Sequence, residues 1–152
     1  MDLILLKISN KRAAYQARFE DHLYKYLVPV GSSLPVDKEL STKISTQCEV
    51  IFIELCETHK KYYIGQLHDV ISLKDQDIPA YYKTISVDYY NIEDANSVFV
   101  TRHLQKITEE EFKAYVGKYY KHHWVDEEGQ PVRFETEAFL SSRANCVHLT
   151  RG

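Results

Sequence analysis

The sequence of 152 residues predicts a single α+β domain, spanning 1–152, with a curved mixed β-sheet or open barrel and flanking helices. Three features support this. Short apolar or alternating runs follow one another through the middle of the chain, stretches with helical spacing lie to either side, and no repeat, linker or low-complexity segment divides them. At this length folding buries roughly two-thirds of the unfolded surface, so stability needs neither disulfide nor metal.

The elements follow in order. "LILLKI", residues 3–8, has no polar face and reads as a strand covered on both sides. Asn10 is a candidate N-cap for "NKRAAYQARFEDHLYKYL", where Ala13, Ala14 and Ala17 favour helix. Pro29, Gly31, Ser32, Ser33 and Pro35 predict a loop. Strands are expected over 49–56 and 62–72 as an antiparallel pair, with Gly65 marking a bulge or a close backbone approach. "KTISVDYY" alternates as a half-buried strand, and "SVFVT" is a further short one. A helix is expected over 109–121. Thr108 and Glu111 form its capping box, and Phe112, Tyr115, Val116 and Tyr119 form its apolar stripe. "VRFETEAFL" and "NCVHL" read as closing strands.

Net charge is -3, so nucleic-acid binding would need a local basic patch. Cys48, Cys56 and Cys146 fit neither a staple framework nor a zinc motif and are expected reduced. The start has only four consecutive apolar residues, too few for a signal or a span, so a cytoplasmic, non-membrane protein is expected.

Eight of the twelve tyrosines stand in pairs, at 62–63, 81–82, 89–90 and 119–120. On a strand a pair sends one ring to each face. Outer rings interleaved with Lys60, Lys61, Lys83, Lys118 and Lys121 would make a surface for stacked bases and phosphates. The plainer alternative is one packed ring and one amphipathic cover.

The order of several motifs resembles that of YTH domains, readers of N6-methyladenine in RNA. "LILLKISN" is similar to that family's first strand and turn, and "GSSLPVDKEL" to its "WSTLPVNEKKL" loop. "EVIFIEL…KYYIGQLHDV" resembles its hairpin, and "EEGQPVRFETEAFL" its "RDGQEIELECGTQL" segment. The wider group is the PUA-like superfamily, which includes the EVE domains. The resemblance implies a PUA-like sheet and a base pocket between the end of the first strand and the Ser-Leu-Pro loop. The implied base-binding residues are Ser9, Asn10, Gly31, Ser32, Ser33 and Leu34, with Lys7 on phosphate. Gly31 stands where the family has a cage tryptophan, and Trp124 is the sole tryptophan. Glu127 or Glu128 lies near the family's phosphate-binding arginine. Tyr62 and Tyr63 are the candidate replacement walls, with Lys60 and Lys61 as further phosphate contacts.

Catalytic and metal chemistry is thinner. His122, His123, Cys146 and His148 could be gathered round a metal, but adjacent histidines on a helix point about 100° apart, and a solvated helix end explains them. No metal and no cofactor are expected. His148-Leu-Thr150 is half of a paired H-x-T motif whose second half is missing. Cys56 with His59 or His68 could form a nucleophile pair, and Asp69, Asp75, Asp77 and Asp88 a metal-binding carboxylate set, on residue type alone. The expected function is that of a reader domain, holding a flipped, modified or unmodified base of single-stranded DNA or RNA in an aromatic pocket. One alternative is a phage or mobile-element interaction protein that binds a host protein through exposed tyrosines. A small nuclease or phosphoesterase is the third reading.

Overall fold

The computed structural model describes residues 2–9, 19–23, 25–32, 36, 48–85 and 95–151. Its strands are β1 (Asp2–Ser9), β2 (Val28–Ser32), β3 (Cys48–Leu55), β4 (Lys60–Ser72), β5 (Ser97–Ile107), β6 (Tyr119–Val125), β7 (Pro131–Arg133) and β8 (Cys146–Arg151). The helices are α1 (Ala80–Ile85), α2 (Glu109–Val116) and α3 (Thr136–Ser141), with a 3-10 turn at Phe19–His22. All eight described strands join one open sheet in the order β2-β5-β4-β3-β1-β8-β6-β7. β1 and β3 run parallel and the other pairs antiparallel, so the sheet is mixed.

The apolar run of β1 is covered on both sides, as its lack of a polar face predicts. Leu3 and Leu5 enter one core, with Ile51, Ile53, Tyr62, Phe112 and Leu149. Ile4, Leu6 and Ile8 enter the other, with Phe19, Phe52, Tyr63 and Phe99. Val28 and Val30 of β2 belong to that second core too. β2 and β1 are four positions apart in the sheet, about 19 Å if it were flat at ~4.8 Å per strand. The sheet therefore curves round this core, while β2 and β7 remain unpaired with each other.

Gly65 sits at a register irregularity between β4 and β5, where a Cβ would lie 3.3 Å from the Arg102 carbonyl oxygen. The predicted bulge and the close approach coincide there. The predicted capping box is also present: Glu111 N donates to Thr108 Oγ1 at 3.0 Å and Thr108 N to Glu111 Oε1 at 3.1 Å.

Four expected elements differ. The helix from 109 ends at Val116, not 121, because Gly117 caps it and the aromatic-rich "YYKHHWV" pairs with β8 as β6. Tyr119 still reaches the core with Phe112 and Val116, but from a strand. Residues 28–32 form edge strand β2 rather than a loop, since Pro29 is tolerated where one side of the ladder needs no donor. Lys83, Thr84 and Ile85, expected in a strand, end helix α1, whose first turn forms on Pro79: Tyr82 N donates to its carbonyl at 3.0 Å. Residues 136–141 form helix α3 rather than part of a closing strand. Phe134 and Phe139, five residues apart, enter the same core, which the alternation of a strand would forbid. The remainder of "KTISVDYY", the candidate cap Asn10 and most of the first predicted helix lie outside the described residues.

Candidate functional site

The residues expected to form one base pocket are not brought together. Ser9 ends β1 in the row of Leu55 and Lys60, whereas Gly31 and Ser32 end β2 in the row of Ser97 and Ser72. The 13 residues of β4 run between those rows, about 40 Å along a strand at ~3.3 Å per residue. Asn10, Ser33 and Leu34 lie outside the described residues.

Lys7 is also committed elsewhere. Its Nζ donates to the carbonyls of Phe139 at 2.8 Å and Ser142 at 2.9 Å, and stands 4.6 Å from the Phe139 ring centroid. It thus ties β1 to the carbonyl end of α3, where a cation is favoured. Burial lowers its pKa from the ordinary lysine value. Lys60 is exposed. Lys61 lies 3.6 Å from Glu20, which also pairs with Lys106 at 2.6 Å.

Tyr62 and Tyr63 offer no ring to a base. They are 3% and 0% exposed, because this part of β4 is covered on both faces. Tyr62 stacks on Phe112 at 4.5 Å between centroids, and Tyr63 on Phe19 at 4.7 Å. Of the other pairs, Tyr81 is exposed and Tyr82 half-buried on α1, Tyr119 is buried and Tyr120 half-buried on β6, and Tyr89 and Tyr90 lie outside the described residues.

The described residues place an open, ligand-sized cleft at the other end of the sheet. β6 pairs with β8 only through residues 119–121, opposite 151–149. Beyond Lys121 the ladder stops, and α3 closes over the gap. The result is a cavity of about 440 Å³ whose walls include Lys121, Trp124, Phe134, Phe139, His122 and His148. Glu135 also contributes. Phe134 and Phe139 form an apolar floor, already packed at 5.8 Å. Trp124 is 65% exposed at the rim, with Lys121 Nζ 5.4 Å from its ring centroid. Nearby, the Arg133 guanidinium lies 5.5 Å from the Tyr120 ring. Of the segments where the sequence interleaves cations with aromatics, this wing keeps the arrangement at the surface, whereas β4 buries its rings. Tyr120, His122 and Trp124 recur every second residue, the period of a strand, a signal hidden when the segment is read as the end of a helix.

Among the expected nucleophiles, Cys56 is unsuited. Its Sγ contacts Glu54 Oε1 at 3.5 Å, and burial, followed by that carboxylate, raises its pKa. Burial pushes Cys48 and Cys146 up to about 12. His59 contacts Thr58 Oγ1 at 3.1 Å, and His68 is exposed. Asp69, Asp75 and Asp77 belong to no metal-sized cluster among the described residues, and Asp88 lies outside them. No described helix is long and apolar enough to cross a membrane. Glu54 is buried in the curved core with Oε2 lacking a hydrogen-bond partner, as does the Tyr63 hydroxyl. Comparison with family models, characterised proteins and solved structures gives no match.

Proposed function

We propose that the chain binds single-stranded nucleic acid and receives one flipped base in the cleft between β6, β8 and α3. The observation that carries this reading is Trp124, exposed at the rim of a cavity of about 440 Å³ with Lys121 beside its ring. A cleft of this size lies within the usual range for small-ligand sites. Stacking on an aromatic face contributes about 1–3 kcal/mol per base and tolerates any base. Lys121 and Arg133 supply the local cations that a chain of net charge -3 needs for phosphate contact. In this reading the open sheet is a PUA-like variant whose base site has moved to the β6 wing. The free cysteines accord with a reducing, cytoplasmic setting.

Trp124 is the sole tryptophan, so its fluorescence reports the site directly. Short single strands, with and without modified bases, should quench it saturably at low salt. By anisotropy of a labelled strand, Trp124→Ala should weaken binding by about 1–3 kcal/mol. Lys121→Ala should reduce the salt slope by about one unit. Binding indifferent to Trp124→Ala, or no binding at either of two salt concentrations, would overturn the reading and favour a protein partner for this rim.

A further inference from the structure

The wall of the same cleft contains a second chemistry, independent of base binding. His122 on β6 faces His148 on β8, with ring centroids 4.0 Å apart and planes 24° from parallel. Asp2 on β1 reaches the same place, its Oδ2 2.9 Å from His148 Nε2. One ligand atom from each of the three residues can be chosen so that all lie within 4.8 Å of one another, and all three side chains are half-buried. The expectation that the histidines decorate a helix end fails because 119–125 is a strand. The strand sets His122 beside His148.

We propose that Asp2, His122 and His148 form a binding site for a divalent late transition metal ion, with Zn²⁺ as its natural occupant. Two imidazoles and one carboxylate are a ligand set that zinc accepts, and three protein ligands leave a further coordination position open. Bonds of about 2.0–2.2 Å place tetrahedral donors roughly 3.3 Å apart. The 2.9 Å contact needs only to open slightly, and the widest donor separation to close by no more than about 1.5 Å. Rotation about the side-chain torsions supplies that, while the backbone is held because β1, β8 and β6 are consecutive strands of one sheet. Since both histidines also line the cleft, the ion would border it. All three protein ligands come from one chain.

The test uses the full chain, stripped with EDTA, desalted and reloaded with Zn²⁺ alone. One equivalent should survive desalting by elemental analysis, and zinc should raise the melting temperature as a ligand of the folded state does. A background with Cys56→Ser and Cys146→Ser removes the two half-buried thiols as competing ligands. Asp2→Asn keeps shape and hydrogen bonding, and His122→Gln and His148→Ala each delete a nitrogen ligand. Each should lower zinc affinity by more than about tenfold, since even outer-shell losses reach that figure. Co²⁺ in place of zinc should give the visible absorption of a four-coordinate ion in the parent and not in the variants. Failure to retain an equivalent, or retention and melting shift unchanged in Asp2→Asn and His122→Gln, would overturn the proposal. Loss of zinc in a variant counts only with its unloaded melting temperature preserved. If His148→Ala unfolds, the other two variants decide.

Discussion

A lysine followed by two tyrosines occurs within β4 and at the entry to β6, and the two strands make opposite use of it. In β4, Tyr62 and Tyr63 point to opposite faces and both are swallowed, because helix α2 covers one face and the curl of the sheet covers the other. In β6, Tyr119 is buried against α2 while Tyr120 stays half-buried under Arg133. A tyrosine pair yields a binding surface only where the sheet lacks a second layer. The curved half of the molecule spends its aromatics on stability, and the β6 wing leaves Trp124 and Tyr120 available for a ligand.

The strongest way to break this comparison is to truncate the rings. Tyr63→Ala should cost about 3–5 kcal/mol by urea denaturation, as for other large buried aromatics, and Tyr120→Ala less than about 1 kcal/mol. Equal costs would mean that the two pairs do not differ as described. Next comes the seam between the halves. Lys7→Met removes two charge-assisted bonds to the end of α3 and should cost about 2–3 kcal/mol. It should leave the salt slope of oligonucleotide binding unchanged, whereas a phosphate-binding lysine would reduce it.

Smaller effects sharpen the contrast. Burial raises the pKa of Glu54 above the ordinary carboxylate range. Below that range the carboxyl is protonated in both folded and unfolded chains. As pH rises from the ordinary carboxylate value, where the unfolded chain ionises, to the raised folded value, the fold loses stability. Glu54→Gln does not titrate, so its stability relative to the parent should increase from pH 4 to pH 8. Stability curves at several pH values would show it, and a constant difference would contradict the burial of the charge. Least of all, Trp124→Ala should change stability by no more than about 0.5 kcal/mol, so that any loss of ligand binding is separable from folding.

Much of the sheet was legible because it rests on local signals. The unbroken apolar run at 3–8, the β-rich 49–56 and the bulge glycine within 62–72 each announce a strand without help from distant residues. Thr108 and Glu111 mark a helix start in the same way. The candidate site was not legible, because it depends on where distant segments meet. Nothing near residue 2 signals His148, and nothing in "KYYKHHW" says that Gly117 has already ended the helix. The Phe112-Tyr115-Val116-Tyr119 stripe identified core residues correctly but not the element that delivers the last of them. The expected pocket failed for the same reason. Lys7 and Gly31 each lie near a strand end, but the direction of β2, set by its pairing with β5, puts those ends in rows at opposite ends of β4.

The place of β1 in the sheet has a kinetic corollary. β1 is flanked by β3 and β8, and its Asp2 meets a histidine 146 residues away. As a chain emerges from the ribosome, β1 can acquire its first neighbour after about a third of these residues, but its second edge waits until residues 146–151 appear. For that interval an apolar strand keeps one ladder side open, the condition that invites misassociation. Pairings so distant in sequence also slow the search for the native topology. Nascent chains stalled before residue 146 should therefore remain protease-sensitive at β1, becoming resistant when β8 is released.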